Sequence, residues 1–248
     1  MTECSPAVEP STPAARSGPE AIAAGLAGAA LGGLTTTPFG LTPLGAVVGG
    51  ANGAISGWRQ IYDWRRAGGV AGFVLDSTWG LAGTTIAVAV HAVQRTRPDR
   101  GAYHDELSRR QGSHVYAGGV RLRRGFAVTW GNVISNAAGR RGLDPATPVG
   151  RRRREMIETH ERLHVWQSRA FGPLFPAIYA SWFIAGGAVG LVAGLIRGRD
   201  VYRTMETLAY YDNPFEVWAY KRDGKWPPHG ALEPLAWGAR RRRGETAT

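Results

Sequence analysis

Between Glu20 and Arg59 the chain carries no charged residue for 38 positions, and within that run Gly45, Gly49, Gly53 and Gly57 recur every fourth residue. That spacing sets the four glycines in one stripe along a helix. Upstream, Gly25, Ala29 and Gly33 repeat it, and Pro38-Phe39-Gly40 with Pro43 mark a turn between the two runs. Glycine costs about 1 kcal/mol per residue in a water-exposed helix, so a helix this rich in it needs compensation. Close backbone packing supplies it, and small residues permit that packing in lipid. The expectation is a glycine-rich helical hairpin over residues 21–58, suited to membrane attachment or to self-association as a homo-oligomer. Its second arm, Leu44 to Trp58, is about 22 Å long at 1.5 Å per residue, short of a ~30 Å hydrocarbon layer. It is therefore expected to dip into a bilayer or to pack inside a protein core.

Two further stretches lack charge. Ser77 to Gln94 carries Ile86, Val88 and Val90 and reads as a buried helix or strand. Ala170 to Ile196 is more apolar; Tyr179 and Trp182 stand near one edge and Arg197 and Arg199 at the other, as interfacial anchors do. Pro173 and Pro176 interrupt its start, so one spanning, re-entrant or buried helix is expected over about 176–196. In contrast, Val120 and Leu122 alternate with Arg121 and Arg123, and Phe126, Val128 and Trp130 alternate with smaller residues after Arg124-Gly125. That period of two predicts a β-hairpin over about 115–134, turning at Arg124-Gly125, followed by a loop over 136–150.

The 44% hydrophobic content is enough for a real core. Residues 1–20, with four prolines, three glutamates and no apolar run, read as a disordered arm and not as a cleavable signal peptide; residues 239–248 read as a basic tail. One cysteine, Cys4, leaves no internal disulfide and no cysteine metal cluster, so a bound metal must be held by histidines and carboxylates. The net charge of +11 comes almost wholly from arginine. Without a recognition fold or stacking array, it points to no specific nucleic-acid partner.

Arg151 to Phe171 reads as a helix, and it contains His160-Glu161-Arg162-Leu163-His164, an H-E-x-x-H pattern. With 6 histidines in the chain, chance gives this pattern about 0.006 times. Residues four apart share a helix face, so both imidazoles can reach one ion, while Glu161 stays free to take a proton from metal-bound water. A third ligand has to come from elsewhere, and Asp200, Glu206, Asp212, Glu216 and His229 follow in the chain. Glu216 is the most suggestive, but Asn213, Pro214 and Glu216 also spell a helix cap that would turn the carboxylate back on its own helix. Gln167 is placed to orient a ligand, and Tyr210, Tyr211 and Tyr220 to donate to an oxyanion. Arg151 to Arg154 would face lipid headgroups or solvent.

The run Thr159-His160-Glu161-Arg162-Leu163-His164-Val165-Trp166-Gln167, then Phe171-Gly172-Pro173, then Asn213-Pro214-Phe215-Glu216-Val217-Trp218-Ala219-Tyr220, resembles small bacterial zinc-metallopeptidase-like domains of the gluzincin type. In that group a downstream glutamate completes an HExxH site. The resemblance spans about 157–220 and implies Zn²⁺ on His160, His164 and Glu216, with Glu161 as general base. Taken with the apolar helices, the expectation is a bacterial, membrane-associated hydrolase of peptide or protein substrates, with a metallopeptidase-like domain over 59–238. The rival expectation is a non-enzymatic glycine-zipper membrane or assembly protein with a structural or degenerate metal site. The fold class expected is α+β: mainly helical, with one β-hairpin before the HExxH helix and glycine-rich apolar helices beside it.

Overall fold

In the computed structural model, which describes residues 16–96, 103–122, 125–139, 142–232 and 235, the chain is mainly helical with one small sheet. The basic tail expected at 239–248 and residues 1–15 of the expected arm lie outside the described residues. The arm's last residues are helical instead. Helix α1 (Gly18–Thr36) starts at the N-cap Ser17, whose hydroxyl accepts from the Glu20 amide at 3.3 Å, and Pro19 presets the first turn. A tight turn over Thr37–Phe39 and Gly40 (φ 70°) leads into α2 (Thr42–Arg59).

The glycine stripes of α1 and α2 face each other. A Cβ on Gly28 would run into the Gly49 carbonyl, and one on Gly32 into that of Gly45. A Cβ on Gly53 would meet the Ala24 carbonyl. The stripe is thus used inside the chain, where backbone approach offsets the low helix propensity. Gly49→Ala is expected to lower stability by about 2–3 kcal/mol, since backbone cannot yield as a side chain can. Gly68→Ala, whose added carbon meets nothing within 4 Å, is expected to raise stability by up to about 1 kcal/mol. Thermal denaturation reads both, and equal effects would contradict this packing.

The hairpin's other side is polar and buried. Asn132 Nδ2 donates to Asn52 Oδ1 at 2.8 Å, and Ser56 Oγ hydrogen-bonds with His114 Nε2 at 3.1 Å. These contacts fasten α2 to the sheet. Helices α3 (Ala67–Ser77) and α4 (Leu81–Thr96) meet at a bend of 86°, so the uncharged stretch after Ser77 is helical. Tyr62 donates to Asp76 Oδ2 at 2.7 Å beneath them.

After the short α5 (Asp105–Gln111) comes a sheet of three strands, β1 (His114–Val115), β2 (Val128–Trp130) and β3 (Val133–Ser135). β3 is central; β1 runs parallel to it and β2 antiparallel, with Thr129 opposite Ile134. The β-hairpin exists between β2 and β3 with its turn at Gly131-Asn132; Arg124 of the expected turn lies outside the described residues. Gly131 takes φ 56° and packs its Cα where a Cβ would strike the Gly83 carbonyl, so this position admits only glycine. Val120 to Leu122 form no strand, and Leu122 is 77% exposed.

Helix α6 (Pro148–Met156), capped by Thr147, continues through a π turn (Ile157–Glu161) into α7 (Arg162–Phe171). The loop expected at 136–150 therefore ends at 147. Arg153 Nε donates to the Ala137 carbonyl at 2.6 Å and Arg154 Nε to that of Leu143 at 2.7 Å, so these two arginines tie down the loop instead of meeting headgroups. Leu107, Val115, Ile134, Ile157 and Val165 form the core between the sheet and this helix.

Helix α8 (Leu174–Ile196) absorbs Pro176 in its first turn. With α1, extended through Phe39, it is one of two single helices among the described residues long and apolar enough to cross a membrane, with mean hydropathies of 1.7 and 1.2. Gly186, Gly190 and Gly194 bring it against the backbone of Leu208, Met205 and Val201. Those residues belong to α9 (Val201–Glu206) and the following π turn (Thr207–Tyr211), which leads to α10 (Pro214–Arg222).

Candidate metal centre

His160 lies in the π turn and His164 one turn on in α7, so their rings stand one above the other on the same face. Their Nε2 atoms are 3.2 Å apart. Glu216 enters from α10 and sets Oε2 3.3 Å from His160 Nε2 and Oε1 3.3 Å from His164 Nε2. One donor atom from each of the three residues falls within 4.8 Å of the others, close enough to hold a metal ion. Asp200, Glu206, Asp212 and His229 are not in this group; Asp200 instead caps α9, accepting from the Arg203 amide at 3.0 Å.

The capping question resolves in favour of the site. Asn213 alone caps α10, its side chain accepting from the Phe215 amide at 3.1 Å, which leaves Glu216 free to point inward. Gln167 joins the two halves: its Oε1 accepts from His164 Nδ1 at 2.7 Å, and its Nε2 donates to the Phe215 carbonyl at 3.1 Å. Since a carbonyl oxygen can only accept, Nδ1 carries the proton and Nε2 faces the centre. Tyr179 of α8 donates to Glu216 Oε1 at 2.9 Å. Among the described residues His160 Nδ1 is buried without a hydrogen-bond partner, and Glu216 Oε2 has only the contact with His160 Nε2 at 3.3 Å.

Glu161 stands outside the group of three, and Thr129 Oγ1 of β2 donates to its Oε2 at 2.8 Å. Tyr220 sets its ring edge-on to His160, with centroids 4.5 Å apart, and Tyr211 packs behind it. Burial first, then the Glu216 charge, holds the Tyr210 and Tyr220 phenols above their usual range, so both keep their protons. All four charged or ligating groups are enclosed: His160 is 4% exposed, Glu161 6%, His164 6% and Glu216 3%.

The electrostatics is that of a buried imidazolium–carboxylate pair. Burial alone would lower His164, but the Glu216 carboxylate overcomes this and raises it to about 9. Burial would likewise raise Glu216, yet the His164 charge and hydrogen bonds from both histidines hold it well below the carboxylate range. Below about pH 9 a metal ion must therefore displace the His164 proton. Apparent metal affinity is expected to climb about tenfold per pH unit through pH 7 and 8, then level off. Competition titration with Co²⁺ reads this, and a plateau beginning near 6.5, the ordinary imidazole value, would contradict it.

No family model, curated protein or solved structure matches this chain. Sequence reasoning brought His160, His164, Glu161 and Glu216 together but missed Thr129 and Tyr179. Thr129 looked like an ordinary strand residue, and Tyr179 like an interfacial anchor 37 residues before the carboxylate it binds.

Proposed function

We propose that this protein is a membrane-attached, zinc-dependent hydrolase of peptide bonds, of the gluzincin type. The observation that carries the reading is the triangle of donors. The two imidazole Nε2 atoms stand 3.2 Å apart, each is 3.3 Å from one oxygen of the Glu216 carboxylate, and one donor atom from each residue lies within 4.8 Å of the others, which is the reach of a single ion with bond lengths of about 2.0–2.1 Å. Two neutral imidazoles and one carboxylate are a donor set that suits zinc and leaves a fourth position open. His160, His164 and Glu216 would hold the ion. Bound there, zinc would supply Lewis acidity for the substrate carbonyl and acidify water.

The remaining roles belong to the chain's own groups. Thr129 fixes one oxygen of Glu161, and the other is left to accept a proton from water and return it to the leaving amine. Gln167 and Tyr179 hold His164 and Glu216 in place. Tyr210 and Tyr220, both protonated, are the candidate donors to the developing oxyanion. Helices α1 and α8 would seat the centre at a bilayer.

A second reading has one observation in its favour: the near-complete burial of the site, which also suits a structural metal in a non-enzymatic membrane or assembly scaffold. Hydrolysis that depends on Glu161 separates the two readings. Peptidase activity lost in Glu161→Gln supports the first, and a metal-loaded protein without activity supports the second.

A further inference from the structure

A second concavity lies behind the metal helix. Its volume is about 830 Å³, and Arg65, Arg66, Arg109, Arg110, Arg162 and Arg169 line it. Only two carboxylates, Glu20 and Asp63, share that wall, and both are engaged. Glu20 accepts from Trp64 Nε1 at 2.7 Å and from Gln60 at 3.2 Å; Asp63 pairs with Arg66 at 3.1 Å. Two more arginines are matched from outside the cleft, Arg110 by Glu158 at 3.2 Å and Arg169 by Asp76 at 2.7 Å. Among the described residues, no carboxylate pairs with Arg65, Arg109 or Arg162. Three unmatched guanidinium groups around one hollow make a site for an anion with several acceptor oxygens, which a phosphate ester is. Trp64 and Trp166 add flat apolar wall beside them.

The cleft's position says which phosphate ester. α1 and α2 meet at a tip without charge, where Phe39 and Leu41 are exposed. Their open end carries Glu20, Arg59 and the cleft, with Trp58 (47%) and Trp64 (41%) exposed beside it. Exposed tryptophans beside arginines at the foot of an apolar hairpin are what a surface at headgroup depth carries. We propose that this cleft binds the phosphate of an anionic phospholipid headgroup, with Arg65, Arg109 and Arg162 as its donors. The choice of a lipid over free phosphate rests on the membrane attachment argued above.

Calorimetric titration of the full chain in a neutral detergent tests the site. Water-soluble dihexanoyl phosphatidylglycerol is expected to bind saturably. Arg109→Gln and Arg162→Gln are each expected to weaken it at least about tenfold, as loss of a charged hydrogen bond does. Arg65→Gln, on an exposed loop where a folding defect is not at issue, should weaken it too, while Arg199→Gln, beyond α8, should not. Dihexanoyl phosphatidylcholine and inorganic phosphate are expected not to saturate in the same range. Unchanged affinity in the three cleft variants would overturn the site, and inorganic phosphate binding as tightly as the anionic lipid would overturn the lipid as its ligand. Flotation with uncharged phosphatidylcholine vesicles reads membrane attachment separately, so its failure would count against the attachment and not against the cleft.

Discussion

Glu161→Gln is expected to cut peptide hydrolysis by about 10²–10⁴-fold while leaving the metal content of the protein unchanged. The amide has the shape of the carboxylate and can still accept from Thr129, which bonds Glu161 at 2.8 Å. It cannot take a proton at neutral pH. Because Glu161 is not one of the three grouped donors, the site keeps its ligands in the variant. Hydrolysis of a fluorogenic peptide library, followed alongside zinc content, separates the two effects. Activity retained in Glu161→Gln would remove this residue as the base; activity and zinc lost together would place it among the ligands.

The largest stability effect is expected at a buried ion pair on the helix that carries His164. Arg169 of α7 is 2% exposed and makes two hydrogen bonds to Asp76 of α3, at 2.9 and 2.7 Å, with a third to the Gly112 carbonyl at 2.6 Å. Asp76→Asn leaves that guanidinium buried without a counter-charge, at a cost of about 3–5 kcal/mol. A domain of this size is typically stable by only about 5–15 kcal/mol, so the variant should unfold at a much lower denaturant concentration. The paired replacement Asp76→Leu with Arg169→Met removes both charges and is expected to recover most of the loss. If Asp76→Asn shifts the urea midpoint no more than a surface substitution does, the pair does not anchor α7 to α3.

Much of the site was legible because its signals are local. His160 and His164 are four apart, and helical geometry alone puts them on one face. Glu216 was readable but ambiguous, since Asn213-Pro214-Phe215-Glu216 fits both a cap and a ligand; Asn213 capping the helix by itself decided it. Contacts between distant segments left no pattern in the sequence: Arg169 and Asp76 are 93 residues apart, and Tyr179 and Glu216 are 37 apart. The β-hairpin shows the limit most plainly. Gly125 and Gly131 both have positive φ, and only the approach of Gly83 to Gly131 identifies the turn between paired strands. In α8 the spacing of Gly186, Gly190 and Gly194 is as regular as in α2, but it lay hidden in a stretch where almost every residue is apolar. The glycine stripes themselves signalled close helix packing, and the structure shows α1 and α2 supplying it to each other.

The most direct test of the account is the metal content of the purified chain, measured by plasma mass spectrometry beside that of His160→Ala, His164→Ala and Glu216→Ala. One zinc per chain is expected in the parent protein, with loss in each of the three variants, whose donor atoms lie within 4.8 Å of one another. A parent protein that takes up no zinc when supplied with it, or variants that keep it in full, would contradict the centre on which the proposed hydrolysis depends.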